Sequence, residues 1–569
     1  MKHYGVRERI DNATASKLSD YSGVLANLLF QRGILDNKEA ELFLNIGYDN
    51  NLHDPFLIHD MKIASERIIE AIKLDQKIAI YSDYDADGIP GGVVLHDFFK
   101  KIGFSNFLNY IPDRSEEGFG LNKEALTSLK AKGVELIITV DCGTSEVENV
   151  EFANRLGLEV IITDHHNAPD VLPNALAIVN PKLSIEYPFP MLCGAGVAFK
   201  LVQAILATDR FGLKDGEEKW LLDMVGIATL SDMVPLIGEN RVLATYGLKV
   251  LRKSRRVGLR RLFQKLKIDQ NNITEDDVGF MITPRINAAS RMGVSYDAFN
   301  LLTTCSAEEA DELVNKLEKV NKERKGTTAF LVKEVKKHIE AKYSPYFQNK
   351  IIVAGDPAWK PSLLGLVANT LASEASKPVF LWGRDGVQEN LKGSCRSVGS
   401  ISVTELMTSV SPGIFTEYGG HHLAGGFSVS YESIHLLEDE LSRVYEKLSI
   451  VDERLESLVD DVLTVADINE GFMRDIDKLA PFGTGNPKPL FLISEADVIS
   501  VSPFGKTKEH LKIILKDASN REVEAVAFFA PKELFDKSIG RDKLSIVGNV
   551  ERSSFLGRKS IRIRIEDIV

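Results

Sequence analysis

Cysteine is scarce: four in 569 residues, at Cys142, Cys193, Cys305 and Cys395, with no CxxC pair. That excludes a zinc ribbon and a disulfide framework and fits a reducing, cytoplasmic location. No stretch approaches the ~20 apolar residues of a membrane span. The opening MKHYGVRERIDNATASK lacks the apolar region of a secretory signal. Positive charge is not in excess, since 69 basic and 81 acidic residues leave a net charge of −12. Coating nucleic acid by bulk charge is therefore excluded, and any basic surface must be local. Low-complexity tracts and short-period repeats are absent. What remains is ordinary globular composition, 44% hydrophobic and 26% charged, in a chain long enough for three to five domains at roughly 100–200 residues each.

Residues 1–55 read as a polar helical lead-in ending at Asp54-Pro55. A β/α alternation follows. Apolar runs at 77–82, 105–111, 135–140, 158–163 and 175–179 have strand character, and 91–103, 122–132 and 145–156 have helical spacing. Strands alternating with single helices predict right-handed crossovers and a mostly parallel sheet. From 194 to about 267 the pattern is helical. A charged, breaker-poor segment over about 307–342 predicts a long helix connecting two lobes. A second α/β lobe follows, with strands at 350–355 and 378–382, a helix near 362–375 and a glycine-rich region at 419–426. Short alternating strands at 511–515, 522–529, 544–550 and 560–568 predict a small closed barrel.

Three predicted strands each run into acid. KIAIYS leads to Asp83-Tyr84-Asp85-Ala86-Asp87-Gly88, ELIITV to Asp141-Cys142-Gly143, and LEVIIT to Asp164-His165-His166. Ligands of an open parallel sheet bind beyond the carboxyl ends of its strands, so the three clusters share one crevice. Carboxylates that close repel and stay protonated unless a cation neutralises them. Oxygen donors with one or two imidazoles suit Mn²⁺ or Mg²⁺. Two such ions about 3.5–4 Å apart can serve an in-line phosphoryl displacement. DxDxDG alone resembles the start of an EF-hand loop, but the twelfth position from Asp83 is Val94, not Glu. A single acid at a strand end is ordinarily a turn or helix cap; three on consecutive strands are not.

DYDADG (83–88), VDCGTS (140–145) and DHH (164–166) resemble the DHH phosphoesterase superfamily. SDMVPL (231–236), TPRINAASRMG (283–293), KGSCRS (392–397), GGHHLAGG (419–426) and APFGTGNPKPLF (480–491) resemble the RecJ family of single-strand-specific exonucleases within it. The resemblance implies an α/β fold: a parallel-sheet DHH lobe, a smaller α/β DHHA1 lobe joined to it by a long helix, and a C-terminal OB-fold β-barrel. The implied segments are a lead-in at 1–55, the DHH domain at 56–305, the connecting helix at 306–345, the DHHA1 domain at 346–450 and a nucleic-acid-binding OB-fold at 455–569. The implied activity is metal-dependent 5′→3′ hydrolysis of single-stranded DNA to 5′-mononucleotides in repair and recombination, with a helicase or single-strand-binding protein as partner.

By motif, the implied ligands of two Mn²⁺ or Mg²⁺ ions are Asp85, Asp87, Asp141, His165 and Asp232, with Asp83 as ligand or orienting group and Asp141 as the bridge. Asp164 is expected to fix the tautomer of a histidine, and His166 to face the scissile phosphate as donor or leaving-group acid. Arg285, Ser394 and Arg396 are implied to line the pocket for the 5′ end, because arginine forks match phosphate oxygens. Arg114, Asn287 and Arg291 are further candidates, and Gly419-Gly420-His421 resembles a substrate-binding loop.

The chain departs from the family pattern at Ile89-Pro90-Gly91-Gly92, where many relatives carry hydroxyl residues, and at His422 and Lys360. The basic run RKSRRVGLRR (252–261) reads as a solvated exterior helix and loop. In the barrel, Phe504, Lys506, Lys508, Phe555, Arg558 and Lys559 are candidate groove residues, and alternation puts at least one of Phe528 and Phe529 in the core. Two other functions fit parts of the pattern. A short-oligonucleotide or nucleotide phosphodiesterase shares the acid clusters but lacks the barrel. A degenerate DNA-binding replication scaffold would have lost ligand residues, and here every cluster is intact.

Overall fold

A computed structural model describes residues 4–114, 116–343, 350–384, 390–448, 457–505, 508–553 and 560–569. The expected boundaries at 345, 346, 450 and 455, and the candidate groove residues Lys506, Phe555, Arg558 and Lys559, lie outside them. The chain divides into two compact units, one of His53–Asp232 with Tyr246–Glu453, the other of Met1–Leu52, Met233–Thr245 and Arg454–Val569.

In the first of these, a five-stranded sheet has the order Phe107–Tyr110, Ile78–Ser82, Leu136–Val140, Glu159–Thr163, Ala177–Val179. All pairings are parallel. The three central strands are apolar and almost wholly buried, as a sheet covered on both faces requires. Register is what builds the site: Ser82 pairs with Val140, Val140 with Thr163 and Thr163 with Val179. The ladder continues one residue further, with Asp83 N–H donating to Val140 O (3.0 Å), Asp141 N–H to Thr163 O (2.9 Å) and Asp164 N–H to Val179 O (3.1 Å). The first residue after each strand therefore stands level with its neighbours.

The predicted connecting helix is Ala307–Lys342, capped by the Ser306 side chain on Glu309 N–H. Its Leu331, Val335 and Ile339 enter the core of the second lobe. That lobe is a five-stranded sheet ordered Glu417–His421, Ala424–Ser430, Asn390–Arg396, Val379–Gly383, Ile352–Gly355. The strand Asn390–Arg396, with alternating small and polar residues, was not legible as a strand. The basic run at 252–261 is not simply solvated. Arg256 is held by Asp97 (2.6 Å) and Asp223 (2.7 Å), and Arg252 donates to Ile273 O (2.7 Å).

In the other unit, Phe491–Phe504, His510–Lys516, Glu522–Ala527, Ser560–Ile568 and Lys543–Ser553 pair in that order, and Phe491–Phe504 closes back on Lys543–Ser553. This is the expected closed barrel. Its longest strand escapes pattern reading because irregularities between Ile493 and Ala496 and between Val498 and Ser500 break the alternation. Phe528 and Phe529 correct the core expectation. The strand stops at Ala527, Phe529 has a φ of 51°, and the two rings are 38% and 75% exposed. Residues 1–52 are less independent than their polarity suggests: Leu18, Leu25, Leu28 and Leu29 share one core with barrel residues such as Phe491 and Ile513.

Candidate metal and phosphate site

The three acid clusters converge as the register dictates. Asp85 Oδ1 accepts from the Asp87 (2.7 Å) and Gly88 (3.1 Å) backbone N–H groups, curling the DYDADG turn. Asn287 Oδ1 receives Ala86 N–H (3.0 Å) and steadies that turn from another helix. Asp87 accepts Gly194 N–H (2.6 Å) and Ala195 N–H (2.7 Å) at the start of the helix Gly194–Thr208, where the dipole favours a carboxylate. Glycine is required there: a Cβ on Gly194 would lie 2.5 Å from Asp141 Cβ. Asp141 has a φ of 63°, a left-handed conformation that non-glycine residues adopt at sites held by their surroundings. The Gly91–Gly92 departure also has a packing reason, since a Cβ would meet Val140 at 2.6 Å or Ser82 Oγ at 2.8 Å.

Ligand-type atoms gather in overlapping groups within 4.8 Å: Asp83, Asp85 and Asp141; Asp87, His165 and Asp232; and Asp141, His165 and His166. His165 Nε2 lies 3.1 Å from Asp141 Oδ1 and 3.7 Å from both Asp87 Oδ2 and Asp232 Oδ2. Asp83 Oδ1 and Asp141 Oδ1 are buried and accept no hydrogen bond. Burial, then mutual repulsion, pushes Asp83, Asp141 and Asp232 well above the usual carboxylate range and Asp87 up to about 7. Burial and the neighbouring His166 charge lower His165 to about 3, leaving it neutral, the form that ligates metal. Orphaned buried carboxylate oxygens, repelling acids and a neutral imidazole fit divalent cations, and Asp141 belongs to two of the three groups.

Asp164 serves orientation. Its Oδ1 takes His165 N–H (2.7 Å) and His166 Nδ1 (2.7 Å), and its Oδ2 takes Thr144 N–H (2.9 Å). Burial opposes a charge on His166, but the Asp164 hydrogen bond and charge prevail and raise it to about 9. A protonated imidazole thus stands beside the cluster, its ring packed edge-on to the half-exposed Phe119 (centroids 5.6 Å).

A cationic group lies close by. Arg114 stacks over Tyr84 (4.9 Å). Arg291 donates to Ser362 O (2.6 Å), and burial, then the charges of Arg114, Arg396 and Arg324, lowers it to about 9. Arg396 donates to Cys395 O (2.7 Å). Gly365, near the start of the helix Pro361–Ala375, leaves room for Arg396 and Ser394: its Cβ would lie 3.0 Å from Arg396 Nη2 and 3.6 Å from Ser394 Oγ. Arg285 is placed differently, with its Nε on Glu318 (2.6 Å) and Nη1 on Met281 O (2.9 Å). Gly419, Gly420 and His421 form an exposed edge strand, and His421 feels the charges of His166 and Lys182.

Several residues of the site escaped sequence reading. Asn180 follows its strand as the acids follow theirs, and bonds Thr144 Oγ1 (3.1 Å) and His166 O (2.9 Å). The run of strand-end polar residues could have found it. Lys182 donates to Asn167 Oδ1 (3.1 Å) and its charge reaches Asp164 and Asp232. Tyr84 and Phe119 carried no signal beyond being aromatic within the motifs.

The sequence matches the DHH family N-terminal domain over residues 77–229, the DHHA1 domain over 348–447 and the RecJ OB domain over 459–567. It is 36% identical to the single-stranded-DNA-specific exonuclease RecJ of Bacillus subtilis, covering 96% of this chain and 67% of that one. It is 30% identical to that of Haemophilus influenzae, covering 96% of each. The fold is similar to crystal structures of Thermus thermophilus RecJ. With Mn²⁺ the TM-score is 0.80 at 25% identity, covering 100% of this chain and 79% of the other; with Mg²⁺ it is 0.74. The two α/β lobes and the barrel agree with these matches, and the chain belongs to the RecJ family.

Proposed function

We propose that this protein is a metal-dependent 5′→3′ exonuclease that hydrolyses single-stranded DNA to 5′-mononucleotides. The observation that carries the reading is the pair of cation-sized groups, Asp83–Asp85–Asp141 and Asp87–His165–Asp232, beside a cluster of arginines. Mn²⁺ or Mg²⁺ bound there supplies Lewis-acid activation of water and of the phosphoryl oxygens.

The chain's own groups do the rest. Asp141 and Asp83 would offer their unpartnered carboxylate oxygens to the ions, and Asp87 is fixed by the helix Gly194–Thr208. His166, oriented and kept protonated by Asp164, donates a hydrogen bond to the scissile phosphate. Arg114, Arg291, Arg396 and Ser394 receive the 5′-phosphate, with the start of the helix Pro361–Ala375 adding its dipole. Arg285, committed to Glu318, supports this pocket by holding its helix against Ala307–Lys342. Asn287 positions the DYDADG turn, and Gly419, Gly420 and His421 offer an exposed strand edge to the nucleotide.

The barrel supplies a single-strand-binding face. Phe504, His510, Phe528 and Phe529 pack in mutual edge contacts, with Arg562 (5.3 Å) and Arg564 (5.6 Å) over Phe528. Partly exposed rings among arginines are the chemistry of base stacking on a backbone-tracking groove. This favours the exonuclease over the short-oligonucleotide hydrolase. The intact clusters favour it over the degenerate scaffold.

No helix among the described residues is long and apolar enough to cross a membrane, and all four cysteines are free. With DNA as substrate, this supports a cytoplasmic role in repair or recombination alongside a helicase or single-strand-binding protein. The test is end-labelled single- and double-stranded DNA with Mn²⁺, Mg²⁺ or EDTA. Linear single strands should yield 5′-mononucleotides only with metal, and circular single strands should resist. Absence of metal-dependent cleavage of linear single strands would refute the reading.

A further inference from the structure

Asp232 differs from the other ion-ligand candidates in what holds it. Asp83 and Asp141 follow strands and are fixed by sheet register, and Asp87 is fixed by two backbone amides. Asp232 instead ends the helix Leu222–Ser231 as its C-cap. The chain then leaves through Met233, left-handed at φ 59° with its side chain 72% exposed. Met233 thus takes the C′ position, where helices commonly turn left-handed, and its exposed side chain adds nothing that would hold the turn in place.

The residues just beyond are tightly gripped. Leu236 N–H donates to Thr484 O (2.7 Å). A Cβ on Gly483 would lie 2.8 Å from Leu236 Cδ1, and one on Gly485, at φ 73°, 3.0 Å from Pro235 Cβ. Five residues on, the buried Arg241 guanidinium donates to Leu479 O (2.9 Å) and Ala480 O (3.1 Å) and stacks over Phe43 (3.9 Å). The turn is itself rigid. Gly483 and Asn486 exchange backbone hydrogen bonds (2.9 and 3.1 Å). The fully buried Asn486 side chain donates to Leu479 O (2.8 Å) and Pro481 O (2.9 Å) and accepts from Arg32 Nε (2.8 Å). Two motifs that the catalytic reading leaves partly unused, SDMVPL and APFGTGNP, thus meet in one interaction.

We propose that the turn Gly483–Asn486 is a positioning element for Asp232: it grips Pro235 and Leu236 and so sets the ion site of Asp87, His165 and Asp232. This rests on the reading of those three residues as ion ligands. Thr484, Gly483 and Gly485 touch neither ion nor substrate; they act through the peptide that follows Asp232.

The test is Mn²⁺ titration of the full chain, followed by the electron paramagnetic resonance signal of the free ion. Wild type, Gly485→Ala, Pro235→Gly and, as reference, Asp232→Asn are compared. The wild type should bind two ions. Gly485→Ala and Pro235→Gly should keep one site and weaken the other at least tenfold. Raised Mn²⁺ should restore their kcat but not that of Asp232→Asn. Thermal melting and metal-free affinity for a single strand report the fold. If Gly485→Ala melts early, Pro235→Gly, which adds no atoms, decides. A folded Pro235→Gly variant with wild-type affinity at both sites overturns the proposal. A wild type that binds no Mn²⁺ overturns the ion-site reading, and this inference with it.

Discussion

Asp141 Oδ1 stands 3.1 Å from His165 Nε2, with the imidazole held neutral and the buried carboxylate oxygen accepting no hydrogen bond. Two ligand-type atoms facing each other this way would both reach a cation placed between them. Asp141 also belongs to the group with Asp83 and Asp85. Asp141→Ala should therefore disturb both ions, and loss of about 4 kcal/mol of transition-state stabilisation corresponds to ~10³-fold in rate. Single-strand binding should survive, since a negative charge is removed. Activity above a few per cent of wild type at saturating Mn²⁺ would contradict a shared role.

Gly194→Ala tests how the helix Gly194–Thr208 seats the cluster. The added methyl group would lie 2.5–2.7 Å from Asp141 Cβ, Oδ1 and Cγ, too close without displacing that side chain. The same residue donates its N–H to Asp87 (2.6 Å). We expect weakened binding of both ions and a cleavage rate reduced at least tenfold, with little loss of secondary structure by circular dichroism. Wild-type Mn²⁺ affinity in this variant would show that the site tolerates the displacement.

The sheet and most of the cluster were legible for one reason. A buried parallel strand is a continuous apolar run, and its end is marked by the first polar residue, so Asp83, Asp141 and Asp164 announced both strand and site. Asp232 was legible only through family resemblance, because a helix-terminating acid looks like any cap. Arg285 and Arg256 show the opposite limit: sequence gives an arginine's charge but not its partner, and Glu318 and Asp223 lie 33 residues away. The strand Phe491–Phe504 was hidden by its irregularities. The leucines of residues 18–29 were read as a lead-in because nothing local shows that their partners lie beyond residue 460. A chain ending near residue 453 would strip those leucines of their core, so point substitutions are the cleaner probe of the barrel.

Arg396→Ala addresses polarity. Its guanidinium shares a pocket with Ser394, with Arg114 and Arg291 near enough to feel its charge. A charge-assisted contact contributes roughly 1.5–3 kcal/mol, about 13- to 150-fold in kcat/KM. The wild type should prefer a 5′-phosphate to a 5′-hydroxyl end, and the variant should lose most of that preference. Competition between the two ends in one reaction measures the ratio directly. An unchanged ratio would move the 5′ pocket elsewhere.

The barrel face separates a nuclease for long strands from a hydrolase of short oligonucleotides. Phe529 is the most exposed ring of its cluster, 75% accessible, and its left-handed backbone keeps it out of the core. Phe529→Ala should therefore cost little stability. A stacked base contributes about 1–3 kcal/mol, so Kd for a 30-nucleotide strand should rise roughly 5- to 150-fold. Arg564→Gln removes one cation near Phe528. If that cation neutralises a phosphate, the log–log salt slope should become shallower by about 0.7. Neither change should alter kcat on a dinucleotide, which is too short to need the face. The measurement is fluorescence anisotropy across 50–300 mM salt in EDTA, with dinucleotide hydrolysis in Mn²⁺ alongside. If both variants bind the long strand as wild type does, with the same slope, the strand does not lie on this face. If dinucleotide hydrolysis falls in parallel with long-strand binding, the face acts on the active site itself rather than holding the strand.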